Sequence, residues 1–191
     1  MLEQDPRQSL VQYYRWLRQY GYNDSHSGNA SLRLDGRFLV TPTGACADTL
    51  QPEALVEVPV EGPIPPTASL DTPLHAGVYR ACPEAGAVLH AHVPHLAALT
   101  LDGRAFEPAD FEGRYYFGRI EVLDLPEDDI IAAAHQAVPE VLAKARIVVV
   151  RSHGAYARGH SLEEAYKWIC SAELAARTAW LALQAGTWRR P

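Results

Sequence analysis

His90 and His92 stand two residues apart in the apolar run Ala87-Val88-Leu89-His90-Ala91-His92-Val93. On an extended strand alternate side chains share a face, so the two imidazoles project to one side at a separation that a single metal ion can bridge. Val88 shares that face while Leu89, Ala91 and Val93 take the other, which reads as a strand with a polar cluster on one side. A third nitrogen ligand is available from His153, directly after the β-branched run Ile147-Val148-Val149-Val150, and Gly154 beside it allows close backbone approach. Three imidazoles leave the fourth position of a zinc-type site open, which is the catalytic arrangement rather than the structural one. A His-x-His pair alone also fits a strand with satisfied polar residues; the company of His153 and an upstream acid is what points to a metal.

That acid is Asp71, 19 residues before His90. A carboxylate near a divalent cation serves as a further ligand or as a general base on a substrate hydroxyl. The same aspartate would also suit the N-cap of a helix opening at Thr72-Pro73. Gly28-Asn29 and Thr43-Gly44 offer backbone N–H groups, an amide and a hydroxyl, an inventory that holds a phosphate or carboxylate without a lysine and that ordinary turns use as well. Among the other histidines, His75 is expected to pack on a helix face and His95 to lie in a loop or behind the ligands. His26, His135 and His160 are expected to face solvent. Tyr115 and Tyr116 read as strand aromatics.

The elements that must position these groups are marked by their own signals. Asp5-Pro6 starts a helix whose apolar face is Leu10, Tyr13, Tyr14 and Leu17, and Gly21 stops it. Segments 30–34 and 37–40 flank Asp35-Gly36, the pair a two-residue type I′ hairpin requires. The hairpin thereby brings Ser27-Gly28-Asn29 beside Thr41-Pro42-Thr43-Gly44. Segment 55–60 reads as a strand that Pro59 confines to an edge or an end. A helix follows from Thr72-Pro73 to Cys82-Pro83, then the His90 strand. A short helix over 96–101, a strand near 120–123, a helix over 127–144 and the Val148 strand continue the alternation. A capping box, Ser161-x-x-Glu164, opens a last helix running to Gly186. Hairpins mixed with helices predict an α/β fold of three layers, α/β/α, around a central and mainly antiparallel sheet, with residues 1–191 as a single domain.

The sequence has 191 residues, 48% of them hydrophobic, and a formal charge of -6 without a long basic run, which argues against nucleic acid as a partner and for a small substrate. Cys46, Cys82 and Cys170 are odd in number and widely spaced, as in a reducing compartment. Glu3 and Asp5 occupy the N-terminus where a signal peptide would be basic, and no apolar stretch approaches the ~20 residues of a membrane span. The expectation is a cytoplasmic enzyme.

Taken in order, Ser27-Gly28-Asn29-Ala30-Ser31, Thr41-Pro42-Thr43-Gly44, Asp71-x-x-x-His75, His90-x-His92, and His153-Gly154 with Ser161-x-x-Glu164-Ala165 resemble the class II aldolase/adducin family, over nearly the whole chain. Within it the sequence is most similar to the L-fuculose-1-phosphate aldolase group. The resemblance implies an α/β/α domain in a homotetramer with active sites between subunits. It implies a divalent metal, zinc first and Mn2+, Fe2+ or Co2+ as alternatives, on His90, His92 and His153. It also implies phosphate binding by Gly28, Asn29, Thr43, Gly44 and Ser69, and acid/base work at the position of Asp71. The activity implied is cleavage of a ketose phosphate in carbohydrate metabolism, with the metal stabilising an enediolate.

The chain departs from that group in three places. Asp71 stands where the aldolases have glutamate, and Asp71-Thr72-Pro73 is similar instead to the L-ribulose-5-phosphate 4-epimerases, as is Tyr116-Phe117-Gly118. Arg114, however, occupies the position of those enzymes' catalytic aspartate. Leu70 replaces a second phosphate-contacting serine. The sequence given ends at Pro191, without the tail tyrosine of either branch. An epimerase, a decarboxylase or a dehydratase on the same scaffold are the alternative chemistries, and a non-catalytic adducin-like binding module is the alternative of another class.

Overall fold

A computed structural model describes residues 5–190, so Glu3 and Pro191 lie outside the described residues. Helix α1 (Pro6–Gln19) starts where Asp5 accepts a hydrogen bond from the Arg7 N–H, and it buries Leu10, Val11, Tyr14 and Leu17 along one face. Gly21, at φ +75°, ends it. Strands β1 (Asn29–Arg33) and β2 (Arg37–Val40) pair antiparallel, Ser31 opposite Val40 and Arg33 opposite Phe38. The turn between them is not type I′. That type needs positive φ at both central residues, and only Gly36 has it.

Strand β3 (Val56–Pro59) follows and is an edge strand, as its proline requires. Helix α2 (Thr72–Ala81) has Asp71 at its N-cap position, yet the Asp71 side chain makes no capping bond. Gly77 inside α2 has a packing reason, because a Cβ there would lie 2.8 Å from Pro139 Cγ on the helix against it. Strand β4 (Ala87–Ala91) carries His90 and leads into α3 (Pro94–Leu99). Helix α4 (Phe111–Phe117) replaces the strand expected around Tyr115 and Tyr116; Asp110 caps it by accepting from the Gly113 N–H. Strand β5 (Val122–Leu123), helix α5 (Ile130–Leu142), strands β6 (Ile147–Val150) and β7 (Gly154–Gly159), and helix α6 (Leu162–Gln184) complete the chain. Ser161 caps α6 by accepting from the Glu164 N–H, while the Glu164 carboxylate turns back to the His160 N–H rather than to Ser161.

The seven strands run β3-β2-β1-β4-β7-β6-β5, every neighbouring pair antiparallel except β5 and β6. Alternation splits β2, β4, β5, β6 and β7 between two cores. Leu39, Leu89, Val149 and Ala157 pack with α1, α3 and α6, whereas Phe38, Val88, Val148 and Tyr156 pack with α2 and α5. The fold is therefore three layers, α/β/α, as the hairpins and helices in the sequence predict. No helix among the described residues is long and apolar enough to cross a membrane.

Candidate active site

The centre of the sheet places the histidines. His90 opposes Asn29 on β1 and Tyr156 on β7, so three polar side chains occupy neighbouring strands at one level. His92 lies one residue beyond the end of β4. Its N–H donates to Asn23 Oδ1 at 2.9 Å and to the Tyr22 carbonyl at 3.0 Å, so a loop rather than the ladder fixes it. Val93 then adopts φ +35°, costly for a β-branched residue. The buried Glu173 carboxylate of α6 secures that bend by accepting from the backbone N–H groups of His95 and Leu96 and lying 2.6 Å from His95 Nδ1. His153 closes the cluster from the β6–β7 turn. A Cβ on Gly154 would lie 2.6 Å from the Ala91 carbonyl and 3.1 Å from His90 Cε1, so glycine permits the approach.

One nitrogen from each of His90, His92 and His153 lies within 4.8 Å of the other two. His90 Nδ1 donates to the Ala155 carbonyl at 3.0 Å, which leaves Nε2 with its lone pair bare, the tautomer a metal ligand needs. Burial pushes His90 down to about 3, and burial also lowers His92 and His153, with the His153 ring adding to the shift at His92. A cluster of neutral imidazoles with one donor nitrogen already committed fits a divalent cation.

Asp71 is buried beside them. Its Oδ2 accepts from Asn29 Nδ2 at 2.8 Å and from the Tyr156 hydroxyl at 2.9 Å. Burial alone would raise this carboxyl; His135 alongside and the Asn29 amide outweigh it and hold the group well below the usual carboxylate range. Tyr156 stacks on the His90 ring at 4.0 Å, and its oxygen lies 3.3 Å from His153 Nε2, so phenol, carboxylate and imidazole form one contact. Burial and the adjacent Asp71 keep the Tyr156 proton on, well above the ordinary phenol value.

The cleft beside this cluster, about 190 Å³, brings Gly28, Asn29, Thr43, Gly44, Ser69 and Asp71 together with the three histidines. Gly28, at φ +68°, packs so closely that a Cβ would meet Asn23 Nδ2 at 2.2 Å and the His90 carbonyl at 2.5 Å. Leu70, 67% exposed, also borders the cleft and presents an apolar side chain at the serine position noted above.

Several residues stand elsewhere than the sequence suggests. His75 is fully buried within a hydrogen-bonded network and is not simply packed on a helix face. His135 is half-buried rather than fully solvent-facing: its Nε2 is buried without a hydrogen-bond partner, 3.8 Å from Asp71 Oδ1. His26 and His160 are exposed, and His26 borders the cleft. Tyr156 and Asn23 carry no sequence signal of their own, since one sits among strand alanines and the other in a polar turn.

The buried histidines make the metal-free protein acid-sensitive. Burial lowers His75 to about 4 and His90 to about 3. Unfolded, both take up a proton near the ordinary imidazole value; folded, they do so only in stronger acid. The unfolded chain therefore binds more protons through that window, and stability rises with pH across it. Each of the two is expected to remove about 2 kcal/mol of stability between about pH 7.5 and about pH 5, read as a falling urea midpoint. A midpoint unchanged over that range would show that the folded state accepts those protons.

The family described as Class II Aldolase and Adducin N-terminal domain matches residues 8–180. A 3-oxo-tetronate 4-phosphate decarboxylase of Cupriavidus necator is 38% identical over 109 residues, 54% of this chain and 48% of that protein, so the match spans about half of each. A methylthioribulose-1-phosphate dehydratase of Pectobacterium carotovorum is 30% identical over 181 residues, 86% of this chain and 88% of its own. The crystal structure of L-fuculose-1-phosphate aldolase from Thermus thermophilus superposes with a TM-score of 0.87 at 33% identity, covering 97% of this chain and 98% of that one.

Proposed function

Because the chain belongs to the class II aldolase and adducin N-terminal domain family, we propose that it is a metal-dependent aldolase that cleaves a small ketose phosphate of the fuculose-1-phosphate type. One observation carries the reading: three neutral imidazoles and an ionised carboxylate converge on one cleft whose rim offers amide and hydroxyl donors. His90, His92 and His153 would hold the cation, zinc first. When bound there it supplies Lewis acidity, which stabilises negative charge growing on substrate oxygens by several kcal/mol.

The chain's own residues do the rest. Gly28, Asn29, Thr43, Gly44 and Ser69 hold the phosphate through N–H and O–H donors, without a lysine or arginine. Asp71 accepts the proton of the substrate hydroxyl at Oδ1, the oxygen without a hydrogen-bond partner among the described residues. As that O–H bond breaks, the oxygen's electrons form the carbonyl of one fragment, and the carbon–carbon bonding pair passes to the carbonyl side of the other. Asp71 then returns its proton to the carbon, next to that carbonyl, which lost its bond to the other fragment. Phe111 and Tyr115 on α4 and Leu174, Trp180 and Leu181 on α6 are exposed apolar side chains that suit the subunit interfaces a homotetramer would need.

A second reading, decarboxylation of a phosphorylated β-keto acid, is supported by the 38% identity to the 3-oxo-tetronate 4-phosphate decarboxylase. Loss of carbon dioxide needs no base, and the two donors on Asp71 Oδ2 weaken it as one. Metal-loaded protein should be given ketose 1-phosphates and 3-oxo-sugar-acid phosphates, and the products separated by mass. Two carbonyl fragments are the expected result. Carbon dioxide alone would establish the second reading instead, and lost water would make the chain a dehydratase. No turnover by metal-loaded protein on any of them would leave a binding module.

A further inference from the structure

A line of buried polar groups runs from the far core into the cleft. The Tyr79 hydroxyl lies 2.7 Å from Ser31 Oγ, Ser31 Oγ lies 2.6 Å from His75 Nδ1, and His75 Nε2 lies 2.7 Å from Asn29 Oδ1. Asn29 Nδ2 then donates to Asp71 Oδ2 at 2.8 Å. Tyr79, Ser31 and His75 are each 0% exposed, so no water competes for these bonds.

The order of protons along this line follows from its last member. An ionised carboxylate only accepts, so the Asn29 group facing Asp71 is the NH2 and the group facing His75 is the carbonyl oxygen. An oxygen there demands a donor, which places the proton of neutral His75 on Nε2. His75 Nδ1 is then an acceptor, so the Ser31 hydroxyl must donate to it. Ser31, its proton spent, accepts from Tyr79. Every bond points toward Asp71. Reversing His75 to the other tautomer would rotate the Asn29 amide and set its carbonyl against the carboxylate, two acceptors without a proton between them.

We propose that this one-way chain makes His75 a positioning residue: through Asn29 it commits Oδ2 of Asp71 to the fold and leaves Oδ1 as the oxygen that exchanges protons with substrate. Burial supports the assignment by lowering His75 to about 4, so the ring is neutral at ordinary pH. Tyr156 contributes the second donor to the same oxygen. Oδ1, with His135 Nε2 at 3.8 Å, is left open beside the cleft. An aligned series of bonds in a dry interior strengthens each member, so the donor at Asn29 is stiffer than a lone amide would be. The proposal rests on the acid/base reading of Asp71 for its consequence, and its polarity is tested apart from that reading.

The first measurement needs no substrate. Nitrogen-15 spectra of histidine-labelled, metal-free protein, with His75 assigned by its absence in His75→Gln, should show Nε2 protonated and Nδ1 bare at neutral pH. A protonated Nδ1, or a ring averaging between tautomers, overturns the chain. The second measurement separates positioning from filling of the core. Glutamine can place its amide N–H where Nε2 stood and donate to Asn29, whereas asparagine reaches only the Ser31 side. His75→Phe and His75→Asn are expected to lose about 10- to 100-fold in kcat with KM little changed, and His75→Gln to recover to within about threefold of wild type. Equal kcat in the Gln and Asn variants would overturn the positioning role. Absence of turnover in the wild type on any substrate would instead defeat the functional reading, while the nitrogen spectra still decide the polarity.

Discussion

Protein purified without added metal or chelator is expected to carry about one equivalent of a divalent metal by elemental mass spectrometry, and His90→Ala to carry essentially none. His90 is the most demanding of the three ligands to replace. It is 2% exposed, its Nδ1 is spent on the Ala155 carbonyl, and its ring stacks on Tyr156 at 4.0 Å and lies 4.8 Å from the ring of His153. Losing a partner behind a ligand costs about 10- to 100-fold in affinity, so losing the ligand itself should cost at least about 100-fold. Alanine also leaves a hole under the Tyr156 ring, and circular dichroism must show that the variant is folded. His160→Ala, at an exposed histidine remote from the cleft, should keep the metal. Metal retained in His90→Ala would remove the three-histidine site. A wild type that stays empty after reconstitution would favour the binding module over any of the lyases. Which metal is found follows from availability as much as from three imidazoles, which zinc, manganese, iron and cobalt all accept.

How far the sequence reveals such a site depends on where each contact comes from. His90 and Val88 on one face, with Leu89 and Ala91 on the other, follow from the two-residue period of a strand, and the sheet places them so, whereas His92 and Val93 lie past the strand end and are placed by the bend. The junction of Gly28-Asn29 with Thr43-Gly44 follows from hairpin geometry, although the turn type does not: one residue with positive φ is enough here. Tyr156 is different in kind. Its place against His90 depends on the register between β4 and β7, strands more than sixty residues apart, and no local pattern sets that register. His75 is legible as a helix residue and illegible as a polar one, because its partners Asn29 and Ser31 arrive from β1 across the layer. A single helix taken alone assigns His135 to solvent, whereas packing of α5 on α2 turns its Nε2 inward. Tyr115 and Tyr116 mislead because aromatic residues in a row resemble a strand; the cap at Asp110 decides for a helix.

Asp71→Asn should leave the fold and the metal content in place and lower the cleavage rate by about 10²- to 10⁴-fold, the range for removing a positioned acid/base. Asparagine has the same shape. With its carbonyl oxygen where Oδ2 stands, it still accepts from Asn29 and Tyr156, so the groups packed on Asp71 keep their bonds. Its NH2 then occupies the site of Oδ1 and cannot take a proton. The variant should also resist acid better than wild type, because a carboxyl held below its unfolded value stabilises the fold above that value and is lost as pH falls through the folded one. The size of the rate loss separates the two lyase readings as well. Retro-aldol cleavage begins with a proton leaving a hydroxyl and so depends on Oδ1, whereas a β-keto acid loses carbon dioxide with no such step. A wild type that decarboxylates the keto acid without cleaving the ketose, and a variant that decarboxylates it near-normally, would assign the site to the keto acid. A variant within about threefold of wild type on both substrates would return Asp71 to a structural role at the head of α2 and move the acid/base to another group bordering the cleft.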